Sequence, residues 1–289
     1  MPESMPRLSV LIPAYNEGRH VETIVQQIRE ILPDREQTEI VVINDGSTDR
    51  KDWKDIEQLA DQLLHHPRNK GYGAALKTGL RHCKGEWVAI IDADGTYDPK
   101  DIARIMEHTA QADMVVGART GDVVKIPLVR QPARWLLTQL ANYLADRRIP
   151  DLNSGLRIFR KDEAVEFLHL YPSGFSFTTT ITLAFLCRDL RVVYVPINYQ
   201  HRTGVSKIRP IRDTKNMFLT IVRTILFFEP LRIFFNLSLV FAALALAVLV
   251  GSFVALDGKV LDGTVSILAM TSVQMLVVGL LADLIVRKR

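Results

Sequence analysis

Two aspartates, Asp92 and Asp94, follow a short apolar stretch and are spaced so that they can act together. The stretch, residues 87–91, is rich in Val and Ile and predicts a buried strand. Side chains two residues apart on an extended chain point to the same side. Two converging carboxylates suit a hard divalent cation, Mg²⁺ or Mn²⁺, whose remaining positions can be filled by substrate phosphates. Asp94 followed by Gly95 is equally typical of a turn, so this stretch alone leaves metal site and turn open.

Strand patterns alternate with helical patterns along the first two thirds of the chain. A strand–helix–strand order joins parallel strands, so the sequence predicts an α/β fold with a mostly parallel sheet and helices on both faces. Ligands of such sheets bind beyond the carboxyl ends of the strands, where the loops after Ile12, Ile43 and Ile91 are expected to meet. The predicted strands are residues 8–13, 39–43, 87–91, 114–116 and 191–199. The predicted helices run through residues 21–32, 56–63, 75–80, 102–106 and 140–144.

Three other stretches carry residues that suit phosphate chemistry, but each also has an ordinary structural interpretation. Asp45 lies within residues 44–49, which are typical of a turn and a helix cap. The loop at 68–73 is rich in glycine but lacks the Walker pattern and the dinucleotide fingerprint, so capping and close packing are its expected roles. Arg202 and Lys207 could hold a diphosphate or a phosphate acceptor, or they could simply be solvated.

The composition is that of a folded protein with a large core. Of 289 residues, 48% are hydrophobic and 24% charged, which excludes a disordered chain. The net charge is +4, but no basic stretch is interleaved with aromatic residues in a nucleic-acid module, so no nucleic-acid partner is expected. Cys83 and Cys187 lie far apart and predict neither a disulfide framework nor a zinc site. The first apolar run is too short for a signal peptide, so the front of the chain is expected in the cytosol.

The C-terminal part of the sequence predicts a membrane segment. Residues 211–232 place apolar and basic residues at helical spacing, as in a helix lying on a membrane surface. Residues 233–256 and 264–286 are long apolar stretches that predict two transmembrane helices. Lys and Arg precede the first and follow the second, so the positive-inside rule places both termini and residues 1–210 on the cytosolic side. A buried hairpin in a soluble core fits stretches of this length less well.

Several motifs, taken in order, resemble those of the family-2 glycosyltransferases. Within that family they are most similar to the polyprenyl-phosphate sugar transferases, such as the dolichyl-phosphate mannose synthases. The resemblance covers about the first 210 residues, and several motifs in the right order are more specific than any one of them. The motifs are Pro13-Ala14-Tyr15-Asn16-Glu17, Asn44-Asp45-Gly46-Ser47-Thr48-Asp49, Asn69-Lys70-Gly71, Asp92-Ala93-Asp94, Gly117-Ala118-Arg119, Asp151-Leu152-Asn153-Ser154-Gly155 and residues 202–207.

The resemblance implies a GT-A-type catalytic domain over residues 1–210 and a metal-assisted, inverting transfer. The donor would be a nucleotide-diphosphate sugar carrying a hexose, mannose or glucose, and the acceptor a polyprenyl phosphate at the cytosolic membrane face. The implied catalytic residues are Asp92, Asp94, Arg119, Arg202 and Lys207, with Mg²⁺ or Mn²⁺ bound by the two aspartates. The implied donor-binding residues are Pro13, Ala14, Tyr15, Glu17, Asp45, Asp49 and Ala93. The implied acceptor-binding residues are Arg130, Ser154 and Lys207.

The sequence departs from the family pattern just after the two aspartates. The family often has a glutamine there that helps the metal, whereas this chain has Gly95 and Thr96 and reaches Pro99 one residue later. Thr96, Asp98 or water is expected to take the place of that glutamine. The loop at residues 202–207 is also one residue shorter than in some mannose synthases. The sugar of the donor therefore cannot be inferred from those enzymes.

The acceptor determines whether the reaction needs a base. A phosphate monoester has a second pKa near 6 and is already ionised at neutral pH, whereas a sugar hydroxyl needs a general base. Asp151 is the candidate base, and its alternative role is to brace the loop around Ser154. Residues 131–135 match the Gln-x-x-Arg-Trp pattern of processive polysaccharide synthases, but two spans are too few to enclose a channel. A non-catalytic membrane-tethered binding protein is the other alternative, and a homo-oligomer is left open.

Overall fold

The computed structural model describes residues 7–49, 53–120, 138–143, 146–174, 176–199, 210–255 and 259–287. The chain divides into two compact units, residues 1–221 and 222–289. The strands are β1 (Leu8–Ala14), β2 (Thr38–Asn44), β3 (Gln62–His65), β4 (Trp87–Ile90), β5 (Met114–Ala118), β6 (Arg157–Arg160) and β7 (Val192–Pro196). The helices are α1 (Gly18–Ile31), α2 (Lys54–Leu59), α3 (Tyr72–His82), α4 (Lys100–Met106), α5 (Lys161–Glu166), α6 (Phe177–Cys187), α7 (Pro210–Phe228), α8 (Pro230–Ala255) and α9 (Asp262–Arg287).

The strands form one mixed sheet in the order β3-β2-β1-β4-β6-β5-β7. Strands β1 to β4 run parallel to one another, and β5 runs parallel to β7. Only β6 among the described strands is antiparallel to its neighbours, β4 and β5. The predicted mostly parallel α/β sheet is therefore confirmed. All seven residues of β1 and of β2 are buried, as expected for strands covered by helices on both faces.

One predicted helix is wrong at its C-terminal end. The apolar spacing of Ile56, Leu59 and Leu63 predicts one helix, but α2 ends at Leu59 and Leu63 belongs to β3, where it pairs with Val42. The edge of β2 explains the change, because the backbone N–H of Asp61 donates to the carbonyl of Ile40 (3.0 Å). Pairing with an open sheet edge outweighs the weak helical preference of so short a segment.

Two long apolar helices make up most of the second unit. Helices α8 and α9 have 26 residues each, about 39 Å of helix, which is enough to cross a hydrocarbon core of about 30 Å. Their mean hydropathies are 2.6 and 2.1, and only 11% of each apolar window is buried, unlike a core helix of a soluble protein. They pack on each other where Ser238 and Ser272 share a hydrogen bond (3.1 Å) and where Gly279 faces Phe234. These features are those of a membrane hairpin.

Candidate active site

The candidate site lies at the carboxyl ends of β1, β2 and β4. These strands are neighbours in the sheet in the order β2-β1-β4, so the loops that follow them emerge at one edge. The sequence predicted this meeting of the loops after Ile12, Ile43 and Ile91, and the strand order confirms it. Pro13 and Ala14 are buried at the end of β1.

The loops after β1 and β2 are joined by hydrogen bonds. The backbone N–H of Asn16 donates to Ser47 Oγ (3.0 Å), and Asn16 Oδ1 accepts from the N–H of Thr48 (2.7 Å). Asp49 Oδ2 accepts from the N–H of Gly18 (3.0 Å), the first residue of α1. Asp49, which was expected to bind the nucleotide sugar, thus accepts a hydrogen bond from a free backbone N–H at the start of α1.

Tyr15 and Glu17, two other expected donor ligands, lie between these joined loops. Both side chains are half-buried. The carboxylate of Glu17 lies 3.7 Å from Nδ1 of His20, one turn along α1. Their partial exposure leaves both side chains accessible to a ligand at the sheet edge.

Asp45 ties the end of β2 to the glycine-rich loop that precedes α3. Its buried carboxylate accepts from the N–H groups of Lys70 (2.9 Å) and Gly71 (2.8 Å) and contacts Nδ1 of His66 (2.7 Å). The other ring nitrogen of His66 contacts the hydroxyl of Thr78 (2.9 Å). Gly71 has φ +101°, and a Cβ there would overlap the backbone of Ser173, so only glycine fits. Asp45 thereby fixes the residue that follows the loop.

That residue is Tyr72, and its hydroxyl donates to Oδ1 of Asp92 (2.8 Å). Burial of the Asp92 carboxyl, followed by repulsion from Asp94, raises the pKa of Asp92 to about 6. On the other side, a Cβ at Gly155 would overlap the Asp92 carboxylate. The carboxylate therefore lies in a close-fitting cradle made by Tyr72 and Gly155.

The residues after the aspartates explain the departure from the family pattern. Asp94 Oδ1 accepts from the hydroxyl of Thr96 (2.6 Å) and from its backbone N–H (3.2 Å). Asp98 is exposed and its Oδ1 accepts from the N–H of Lys100 (2.9 Å) at the start of α4. Thr96 thus orients Asp94, and Asp98 caps a helix.

Asp92 and Asp94 are the acidic residues that the sequence predicts as cation ligands at this edge. No group of three or more His, Cys, Asp or Glu residues that could hold a metal ion exists in the described part of the chain. The pair still fits a divalent cation, since bound positive charge would offset the repulsion from Asp94 that helps to raise the pKa of Asp92. Mg²⁺ in particular is commonly held by one or two carboxylates plus substrate phosphates and water.

Arg119 and Asp151 form a bidentate ion pair beside the aspartates. Arg119 Nε donates to Asp151 Oδ2 (2.7 Å) and Nη2 to Oδ1 (2.9 Å), and the backbone N–H of Arg119 also reaches Oδ2 (3.1 Å). The guanidinium also lies over the ring of Tyr199, 5.2 Å from its centroid. Asp151 is buried and engaged by these donors, so it has the bracing role rather than the geometry of a general base.

Ser154 and Arg157 hold the loop beneath the site. The buried hydroxyl of Ser154 donates to the carbonyl of Gly117 (2.5 Å). Arg157, which is fully buried, donates to the carbonyls of Ser154 (Nε, 3.2 Å) and Thr178 (3.0 Å). Burial lowers the pKa of Arg157. Ser154, an expected acceptor ligand, is here a structural residue of the cradle around Gly155.

The structure brings some expected site residues together and does not describe others. Ala93 is buried between the two aspartates. Arg130, Arg202, Lys207 and the motif at residues 131–135 lie outside the described residues. Tyr72, His66, Gly155 and Arg157 surround the expected residues without having been assigned to the site from sequence. The signals available were the loop at 68–73, whose glycines were interpreted as capping and close packing, and an arginine inside the apolar run 156–159.

Comparison with known protein families identifies the chain. Residues 9–166 match Glycosyl transferase family 2, which is more than half of the chain, and residues 229–287 match the GtrB C-terminal hairpin. The protein is a glycosyltransferase of family 2 with a C-terminal two-helix hairpin. The expected resemblance is therefore confirmed.

Relatives with named activities are similar over most of this chain. A low-salt glycan biosynthesis hexosyltransferase of Haloferax volcanii is 30% identical over 72% of this chain, which spans about half (51%) of that relative. The undecaprenyl-phosphate mannosyltransferase of Micrococcus luteus is 28% identical, with 70% of this chain and 87% of that protein covered. The dodecaprenyl-phosphate galacturonate synthase of Rhizobium johnstonii is 26% identical over 97% of this chain and 88% of its own.

A solved structure supports the fold. The glucosyl-3-phosphoglycerate synthase of Mycobacterium tuberculosis, in complex with Mn²⁺, UDP-glucose and phosphoglyceric acid, superposes with a TM-score of 0.59. The match covers 76% of this chain and 80% of that one at 19% identity. At this identity the likeness establishes the GT-A-type fold.

Proposed function

We propose that this protein transfers a hexose, mannose or glucose, from a nucleotide-diphosphate sugar to a polyprenyl phosphate at the cytosolic face of a membrane. The observation that carries the proposal is the carboxylate of Asp92, held by Tyr72, enclosed by Gly155 and raised in pKa beside Asp94. A simple turn has no need of such a cradle. The names of the Micrococcus and Rhizobium relatives support a polyprenyl phosphate as acceptor and leave the sugar open.

Asp92 and Asp94 would hold Mg²⁺ or Mn²⁺. When bound, the cation supplies positive charge for the diphosphate of the donor and of the departing nucleotide. Tyr72 and Thr96 fix the orientations of the two carboxylates before the ligand arrives. Prior orientation of this kind avoids reorganisation during the reaction.

The joined loops after β1 and β2 would bind the nucleotide. Tyr15 and Glu17 are half-buried there, and Asp45 already accepts two backbone hydrogen bonds and contacts His66. In this proposal Asp45 mainly shapes the nucleotide pocket. Only part of its hydrogen-bonding capacity is left for the nucleobase of the donor. Ala93 would lie against the nucleotide, and Arg119 would contribute positive charge while it stays paired with Asp151.

The acceptor side needs no general base. A polyprenyl phosphate is largely ionised at neutral pH, and Asp151 is engaged by Arg119. In-line attack by a phosphate oxygen on the anomeric carbon forms the new C–O bond as the bond to the nucleoside diphosphate breaks, so the configuration inverts. We assign residues 1–210 to the catalytic domain, 211–232 to the membrane surface, and 233–256 and 264–286 to the spans, with both termini cytosolic.

Labelled donors test the proposal. Membranes containing the full-length protein are incubated with a panel of radiolabelled nucleotide sugars plus Mg²⁺ or Mn²⁺, and the lipid fraction is extracted. With one of the donors, label is expected in the lipid fraction as a polyprenyl phosphate sugar. EDTA should abolish this transfer, and added Mg²⁺ or Mn²⁺ should restore it. Asp92→Asn and Asp94→Asn should each lower transfer at least about a hundredfold.

Asp98→Asn is the matched control, because Asp98 lies four residues from Asp94 but caps α4. Its transfer rate should stay within about twofold of that of the unmodified protein. Label in a growing polysaccharide would favour a processive synthase, and donor binding without transfer to any acceptor would favour a binding protein. Either result contradicts the proposal.

A further inference from the structure

Tyr97 joins the loop that carries the two aspartates to the loop that encloses Asp92. It is only 3% exposed and belongs to the segment in which this chain departs from the family pattern. Its hydroxyl accepts a hydrogen bond from the backbone N–H of Gly155 (2.7 Å). The sequence pattern assigned no role to Tyr97. In the structure it connects two loops that lie far apart in the chain.

The hydroxyl of Tyr97 acts on Asp92 through Gly155. Gly155 lies so close to the Asp92 carboxylate that a Cβ would overlap its Oδ2 atom. In so closely packed a place, a small displacement of the Gly155 backbone would change the space that the carboxylate occupies. The N–H of Gly155 is buried, and a buried donor that lacks an acceptor is unfavourable. The bond to Tyr97 therefore holds this backbone against Asp92.

The ring of Tyr97 acts on the cationic side of the site. It packs edge-on against the ring of Tyr199, with 5.3 Å between the ring centroids and 70° between the planes. The guanidinium of Arg119 lies over the same Tyr199 ring while it is paired with Asp151. An aromatic face attracts a cation, and the ring packed against Tyr199 fixes the orientation of that face. Tyr97 is thus one residue away from Asp92 on one side and from Arg119 on the other.

Two other buried tyrosines show that core packing alone does not require a hydroxyl partner. The hydroxyls of Tyr171 and Tyr194 are buried and have no hydrogen-bond partner within the part of the chain that the structure describes. The ring of Tyr171 packs against that of Phe177, with 4.7 Å between the centroids. These two side chains fill space through their rings. Tyr97 differs from them, because its hydroxyl also bonds to the cradle of the candidate site.

We propose that Tyr97 is a positioning residue that fixes Asp92 and Arg119 relative to each other, the first through Gly155 and the second through Tyr199. The inference rests on the proposed function, in which Asp92 binds a divalent cation and Arg119 adds positive charge for the donor diphosphate. Asp92 and Arg119 follow different strands, so the contacts that join their loops set the distance between them. A diphosphate that meets both the cation and the guanidinium is bound best when this distance is fixed beforehand.

Tyr97→Phe in the full-length protein tests the hydroxyl. This change keeps the ring against Tyr199 and removes the acceptor for Gly155. The Mn²⁺ dissociation constant, measured by electron paramagnetic resonance without nucleotide, should rise about fivefold. In the transfer assay kcat should fall about tenfold, while the KM for the donor changes less than about threefold. A role confined to packing would lower the melting temperature and leave the Mn²⁺ affinity of the folded protein unchanged.

Tyr171→Phe is the matched control. It removes a similarly buried hydroxyl, but one that has no partner in the described part of the chain. The Mn²⁺ dissociation constant, kcat and KM should each stay within about twofold of those of the unmodified protein.

Tyr199→Leu tests the ring. It removes the aromatic face that lies against Arg119 and leaves the bond between Tyr97 and Gly155 in place. The kcat/KM of transfer should fall about fivefold. The Mn²⁺ dissociation constant should stay within about twofold of the original, because the cradle of Asp92 is retained. The two substitutions therefore separate the two sides of the site.

Unchanged Mn²⁺ affinity in folded Tyr97→Phe, an equal loss in Tyr171→Phe, or full transfer by Tyr199→Leu would overturn the proposal. If Tyr97→Phe does not fold, Tyr199→Leu still decides between a fall in transfer at constant Mn²⁺ affinity, which supports the proposal, and unchanged transfer, which does not. Mn²⁺ binding can be measured without any transfer. An unmodified protein that binds Mn²⁺ but labels no lipid would therefore contradict the proposed function and leave the role of the Tyr97 hydroxyl testable by itself.

Discussion

At the level of single residues, the environment of Asp92 couples cation binding to pH. Burial and repulsion from Asp94 raise its pKa to about 6 from 3.8, the value for an unperturbed aspartate. Because the pKa is higher in the folded chain than in the unfolded one, this group stabilises the metal-free fold more as the pH falls through 6. A cation has the opposite preference, since it binds the ionised carboxylate.

Mn²⁺ affinity should therefore fall in mildly acidic solution. With a pKa of about 6, roughly one Asp92 in ten is ionised at pH 5, so the Mn²⁺ dissociation constant should rise about tenfold between pH 7.5 and pH 5. Electron paramagnetic resonance measures this dissociation constant when full-length protein is titrated with Mn²⁺ at each pH. No nucleotide is added, because ionisation of its phosphates would also change with pH. Asp98→Asn should show the same dependence. A dissociation constant that is flat across this range would contradict the role assigned to Asp92.

Tyr72 should tune the same carboxylate. Its hydroxyl donates to Asp92, and burial, followed by the nearby Asp92 charge, raises the pKa of Tyr72 well above its usual range, so it stays a donor at every working pH. Tyr72→Phe keeps the ring and removes the donor. Because that hydrogen bond lowers the pKa of Asp92, the midpoint of Mn²⁺ binding should move to higher pH.

In Tyr72→Phe, Mn²⁺ affinity at pH 7 should fall about tenfold, and kcat should fall more than KM rises. Tyr143→Phe provides the control, since Tyr143 is exposed and the tyrosine hydroxyl that donates to Asp92 is that of Tyr72. If the pH midpoint of Mn²⁺ binding does not move while Tyr72→Phe remains folded, Tyr72 does not position Asp92.

At the level of secondary structure, strands with continuous apolar runs were predictable, whereas the short strands β3 and β6 were not. Strands β1 and β2 are buried on both faces, so continuous apolar runs marked them within a residue or two of their observed ends. The four residues of β3 are half-buried or exposed, and their strand geometry comes from pairing with β2. Likewise β6 begins and ends with arginine and lies between β4 and β5, so its pattern alone gives little signal. The extended geometry of β3 and β6 therefore depends on pairing with strands that are distant in sequence.

The candidate site divides in the same way. Asp45, Asp92 and Asp94 could be found from sequence because they follow strands whose ends meet at one sheet edge. The partners that hold them are separated by many residues, as when Tyr72 reaches Asp92 or Gly155 encloses it. Asp49 and Ser154 lie within the motifs and were expected to bind substrates. In the structure their side chains instead form hydrogen bonds that hold the loops in place.

At the level of the whole molecule, the contacts that shape the candidate site come from the first compact unit. The cradle of Asp92, the Asp45 network and the Arg119–Asp151 pair all lie within residues 45–157. Their surroundings belong to the core of the sheet, which includes Ile12, Ile91 and Leu156. Cation and nucleotide binding should therefore depend on that unit, whereas use of a membrane-bound acceptor should depend on the hairpin as well.

A chain ending after Phe228 separates these requirements. It keeps α7 and the sheet but lacks α8 and α9. Its Mn²⁺ and nucleotide-sugar dissociation constants should stay within about threefold of those of the full chain, because no described contact of the site is removed. Transfer to a short, water-soluble prenyl phosphate should persist. Transfer to a long polyprenyl phosphate in vesicles should fall at least about tenfold, because the hairpin no longer holds the enzyme at the bilayer. Loss of nucleotide binding from a well-folded truncated chain would show instead that the hairpin helps to form the site.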